Sequence, residues 1–225
     1  MAWFQLDPQS IADRVEPGAR IPSRAVSLAR GMVGFTLLSV AGFVPWAAFG
    51  RPLYRALGEA GMYAVCAAVF IAFSGPLLHR LILGRGSMGR FYAVFSVAFV
   101  VYSIGWTVGW MLWRGHPGSV AGLLAGTAGM GWVLARAFGS GSTLKLIGLL
   151  FAWNAAGYFI GGVSDAWIGS WRDAVGPEQR ATVSMLAHLG WGLCYGLGFG
   201  AGLGLAFYHC QSRARERIAE RRTLE

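Results

Sequence analysis

Six apolar stretches separated by short polar breaks run through the 225 residues, at about 29–49, 60–83, 91–113, 117–138, 144–163 and 182–208. Each is near the roughly 20 residues that an α-helix needs to cross a bilayer. The pattern therefore predicts an all-α integral membrane protein with six transmembrane helices. Pro45 is expected to kink the first span and Pro76 the second near its inner end. Connections are short, which makes consecutive helices antiparallel neighbours; the exception is a sizeable loop from Ser164 to Arg180. Residues 1–28 form a separate N-terminal segment. Its start mixes Trp3, Phe4, Leu6, Ile11 and Val15 with Asp7, Asp13, Arg14 and Glu16, and the stretch Pro8 to Val15 predicts a short interfacial helix. Residues 209–225 form a basic tail, expected as a solvated helical extension touching lipid headgroups.

Within the last span Gly192, Gly196, Gly200 and Gly204 recur at a spacing of four. On a helix they stack into one smooth groove against which another backbone packs closely. Gly118, Gly122 and Gly126 make a second such groove on the fourth span, and Gly105 with Gly109 a third.

Composition agrees with this layout. Hydrophobic residues make up 55% of the chain and charged residues only 13%, about half the density of a soluble domain. The net charge of +9 does not indicate nucleic-acid binding, because the basic residues lie in connections and in the tail. Fourteen of them fall on one side of the predicted membrane; the other side holds five, Arg51, Arg55, Arg114, Arg172 and Arg180. The positive-inside rule then places both termini in the cytoplasm, as in a bacterial inner (plasma) membrane protein. Cys66, Cys194 and Cys210 have neither a zinc spacing nor a required disulfide.

Chemistry-bearing residues are few. No acidic residue lies between Glu59 and Asp165, which counts against proton-coupled carriers and intramembrane metal enzymes. The four histidines are scattered over both faces, with no HExxH and no arrangement for haem, so no metal or cofactor is expected. The intramembrane polar candidates are His188, about two turns inside the outer end of the last helix, Asn154 in the fifth span and Ser119 in the fourth. Trp106, Trp110, Trp113, Trp167 and Trp171 read as an outer aromatic belt.

The Ala187-His188-Leu189-Gly190 start of the Gly-rich last helix resembles the rhomboid intramembrane proteases. So do the Gly-rich fourth helix, the Gly75-Pro76-Leu77-Leu78-His79-Arg80-Leu81 junction and Ala156-Gly157-Tyr158-Phe159. The resemblance covers about residues 70–208. It implies a six-helix core whose chemistry needs a serine in a Gly-x-Ser-Gly turn, activated by the histidine of the last span. Here that turn reads Ser119-Val120-Ala121-Gly122, with Ala121 at the nucleophile's position. Ser119, two residues earlier, is turned about 200° around the helix. Met62 and Cys66 stand where a His-x-x-x-Asn pair is expected, and the long first outer loop is missing. These departures imply a protease-dead, rhomboid-like protein with no catalytic residue. The function expected is the binding of transmembrane segments, sister subunits or lipids of the bilayer. The alternative is a small-solute transporter or channel, passive or for an uncharged solute. An enzyme using Ser119 and His188 comes third.

Overall fold

A computed structural model describes residues 3–224, and every regular element among them is helical. The α-helices are α1 (Pro8–Asp13), α2 (Arg24–Leu78), α3 (Ser87–Trp113), α4 (Gly115–Phe138), α5 (Thr143–Gly169), α6 (Arg180–Cys210) and α7 (Ser212–Leu224). Five of them, α2 to α6, are long and apolar enough to cross a membrane. Helices suit that environment because they satisfy their own backbone hydrogen bonds where water is absent.

The first of these helices is broken at Gly58, the one residue inside it with non-helical backbone angles (φ 70, ψ −179). There the chain reverses. A Cβ on Gly34 would meet the Leu77 carbonyl, one on Gly42 the Phe70 ring, and one on Gly50 the Met62 sulfur. Residues 24–57 and 59–78 thus lie side by side as two antiparallel arms. The reversal falls at this glycine, inside the connection expected between the first two spans, whereas Pro45, Pro52 and Pro76 all sit inside helix. A proline deletes one hydrogen bond but keeps a helical φ, whereas reversal needs the left-handed region that glycine enters freely. The expected loop from Ser164 is also shorter than predicted, because α5 continues to Gly169, a short 3-10 turn follows at Ser170–Asp173, and α6 begins at Arg180.

α6 packs between two neighbours and presents glycine to both. A Cβ on Gly200 would fall 2.4 Å from the Gly31 carbonyl oxygen, and one on Gly204 2.4 Å from that of Ser27. Gly196 lies against Thr36 and Ser39, and Gly192 against Phe43, so this face is taken up by the first arm of α2. Ser39 Oγ adds a buried hydrogen bond to the Gly192 carbonyl at 2.7 Å. On the other side Gly198 and Gly202 admit α5 at Gly157, Trp153 and Leu149. α3 and α4 meet in the same way: Gly105 lies on Gly126, Gly109 on Gly122, and Gly118 against Trp113 and Trp110. Every groove singled out in the sequence is therefore filled from within the chain. Between these pairs Phe91, Phe95, Phe99, Phe35, Phe199 and Phe207 form an aromatic core, stacked along Phe91, Phe95 and Phe99 and edge to face at Phe35 and Phe199.

The two terminal segments are clasped. α7 is helical as expected but is not a free extension: Ala214 and Ile218 are buried, together with Leu6 and Ile11 of the N-terminal segment. Arg221 pairs with Asp13 at 2.6 Å, Arg217 bonds Gln9, Arg222 bonds the Ala19 carbonyl, and Arg215 donates to that of Pro22 at 2.7 Å. Buried Gln211 ties the clasp to the bundle, accepting from Leu83 N and donating to the Leu81 and Phe207 carbonyls.

Acid should loosen this clasp. The Ser10 side chain and backbone N–H, bonded to the Asp7 carboxyl that caps α1, hold its pKa below the ordinary 3.8; Arg221 does the same for Asp13. Because both folded-state values are depressed, their contribution is complete above the ordinary carboxylate value and is lost as pH falls below it. Amide protection in α1 and α7, measured relative to the intrinsic exchange rate at each pH, is expected to fall as pH drops from about 4 to about 2 while that of α6 is kept. Unchanged protection in α1 and α7 would contradict this.

Candidate functional site: an aromatic cavity and its polar rim

The second arm of α2 and α3 touch at Gly75–Tyr92, at Phe70–Phe99 and at Tyr63–Trp106, and part between the last two. At one end Tyr92 fills the notch at Gly75, and its hydroxyl donates to the Ala72 carbonyl at 2.6 Å. At the other end Tyr63 meets Trp106 edge to face at 5.2 Å. The gap between Phe70–Phe99 and Tyr63–Trp106 is a cavity of about 680 Å³, within the range of small-molecule sites. Phe70 and Phe99 close its floor, with centroids 5.1 Å apart. Tyr195 and Trp191 of α6 form its back wall. Its edge carries Ala64, Ala68, Val100 and Ile104, all exposed, so it opens sideways between two apolar helices. The lining is overwhelmingly aromatic and aliphatic, which suits an apolar guest and gives a hydrated ion or polar solute little to bind.

A polar cluster stands at one end of the cavity, at the α2 reversal. Glu59 Oε1 accepts from Tyr63 Oη at 3.1 Å, Trp110 Nε1 at 3.0 Å and Arg114 Nη1 at 2.6 Å. Tyr63 and Trp110 line the cavity themselves. The Glu59 side chain is only 18% exposed, whereas that of Arg114 is 51% exposed. Arg114 is also one of three non-glycine residues with positive φ among those described (φ 48, ψ 169), in the tight corner between α3 and α4. Such a backbone costs on the order of 1–3 kcal/mol and persists only where its surroundings hold it.

Asn154 lies fully buried behind the cavity. Its Nδ2 donates to the Tyr102 hydroxyl at 2.9 Å, and Tyr195 donates to the same oxygen at 3.1 Å. Asn154 Oδ1 and the indole nitrogens of Trp106 and Trp191 are buried without a hydrogen-bond partner.

His188 and Ser119 are engaged separately. His188 Nδ1 lies 2.9 Å from Asp165 Oδ1, and its ring stacks on Trp46 at 3.9 Å. Ser119 Oγ donates to the Gly115 carbonyl at 3.1 Å and lies 3.2 Å from the Tyr158 hydroxyl. Serine and histidine are therefore not joined as nucleophile and base, which acyl-transfer chemistry requires. No group of three or more metal-ligating side chains occurs among the described residues.

Several of these residues escape a linear reading. Glu59 and Asp165 stand out in the sequence only as the borders of an acid-free stretch; apart from Tyr63, their partners are 51 to 55 and 23 positions away. Trp106 and Trp110, grouped with the belt, turn inward to the cavity and to Glu59, while Trp113, Trp167 and Trp171 remain exposed. Comparison with protein-family models, with curated proteins and with solved structures finds no match to this chain.

Proposed function

We propose that this is a non-catalytic membrane protein that holds an apolar lipid chain in the cavity between the second arm of α2 and α3. The observation that carries this reading is the cavity itself: enclosed by aromatic walls, open towards lipid and closed at one end by a polar cluster. The glycine grooves add weight to lipid over a transmembrane segment as the guest, because the chain's own helices already fill them. Separate engagement of Ser119 and His188, with Ala121 at the nucleophile's position, supports a protease-dead rather than a proteolytic rhomboid-like protein. Counting the two α2 arms separately gives six crossings. With fourteen basic residues against five, we place both termini on the cytoplasmic face of a bacterial inner membrane. Solute passage has less support, since Asn154, Tyr102 and Tyr195 bond one another rather than line a polar path.

Native mass spectrometry of protein released gently from its own membrane tests the reading. One lipid per chain is expected. It should be lost from Ala67→Trp, which fills the cavity, and from Ala64→Trp, which blocks its exposed edge without entering the core. A bare chain, or the same lipid on all three proteins, would refute it.

A further inference from the structure

The charges around the cavity's polar end select among lipids. Arg51 and Arg55 are exposed on the last turns before the α2 reversal, and Arg114 stands at the α3–α4 corner beside it. Glu59 is the only acidic residue in these two connections, which together carry three arginines against one carboxylate. Glu59 also spends one oxygen on Arg114, Trp110 and Tyr63 together, which fixes the guanidinium at the mouth instead of leaving it free in solvent. The remaining donors of a half-exposed guanidinium have the planar geometry that matches phosphate oxygens. The strained Arg114 backbone holds that group where the apolar cavity ends.

We propose that the occupant is a phospholipid with an anionic headgroup, one acyl chain in the cavity and its phosphate at Arg114, with Arg51 and Arg55 completing the basic corner. This rests on the lipid-binding reading above and adds the headgroup class. An apolar cavity alone would accept any acyl chain. Only the basic corner distinguishes a net negative headgroup from a zwitterionic one, at about fivefold for each basic side chain near the membrane surface.

The full chain is delipidated in detergent, then mixed with equal amounts of phosphatidylglycerol and phosphatidylcholine bearing the same acyl chains, and retained lipid is counted by native mass spectrometry. One lipid per chain is expected, with phosphatidylglycerol favoured at least fivefold. Arg114→Gln should lower the ratio about fivefold while a lipid is still held. Arg55→Gln, at an exposed position away from the Glu59 cluster, should lower the ratio severalfold and serves where Arg114→Gln fails to fold. Equal retention of both lipids by the unmodified chain, abolished by Ala64→Trp, would overturn the headgroup inference and leave the cavity reading intact. No retained lipid, or equal retention in Ala64→Trp, would overturn both.

Discussion

Gly200→Leu is expected to abolish the folded bundle. Even a methyl group at this position would sit 2.4 Å from the Gly31 carbonyl oxygen, and that obstacle is backbone, which cannot rotate aside. The first arm of α2 would have to move away from α6 and lose the packing at Gly196, Gly204 and Ser39 along the same face. Overpacking a core with yielding side chains costs about 1–3 kcal/mol; with two backbones in contact the loss should exceed that. Thermal unfolding in detergent, followed by size exclusion, is the measurement. Gly148→Ala is the control: nothing lies within 4 Å of a Cβ there, so its stability should stay within about 1 kcal/mol of the unmodified chain. Equal melting temperatures for Gly200→Leu and Gly148→Ala would show that the α2–α6 contact is not as described.

Tyr102→Phe should be the next most damaging change. The Tyr102 hydroxyl oxygen accepts from both Asn154 and Tyr195, and all three side chains are buried. Its removal leaves two donors without an acceptor. Polar bonds between helices in a membrane are each worth about 0.6–1.7 kcal/mol, so the loss should be about 1–3 kcal/mol. Asn154→Leu should cost less, although it alters the same network, because it also removes the unpartnered Oδ1. Chemical unfolding of the two variants in one detergent decides the order. A Tyr102→Phe protein as stable as Asn154→Leu would mean that the hydroxyl cluster contributes little.

The glycine spacing illustrates how far a linear pattern reaches. Four residues per repeat lies close to the helical period, so Gly192, Gly196, Gly200 and Gly204 must share a face wherever the helix goes. The identity of the helix that fills that face is a different matter, since Gly31 and Ser27 are more than 165 positions away. The reversal in α2 falls inside the break expected between the first two apolar stretches, at 50–59, but the residue that carries it, Gly58, is fixed only by the structure. Asp165 fell outside the fifth apolar stretch, and only the continuation of α5 to Gly169 brings it beside His188. Trp106 and Trp110 show the same limit. Hydropathy assigns them a depth in the membrane, but their direction depends on where Tyr63, Tyr158 and Glu59 stand.

By itself the sequence determined that this chain forms apolar helices of membrane length with close glycine contacts. That follows from local terms, since each helix satisfies its own backbone and each glycine removes its own side chain wherever it lies. The cavity and its rim were decided only by tertiary structure. Its existence depends on α2 and α3 meeting at Phe70–Phe99 and at Tyr63–Trp106 but parting between them, and its polar end on a helix reversal carrying Glu59 to the far end of α3. Those contacts join residues distant along the chain, and an unfilled space leaves no mark on the hydropathy of the residues around it.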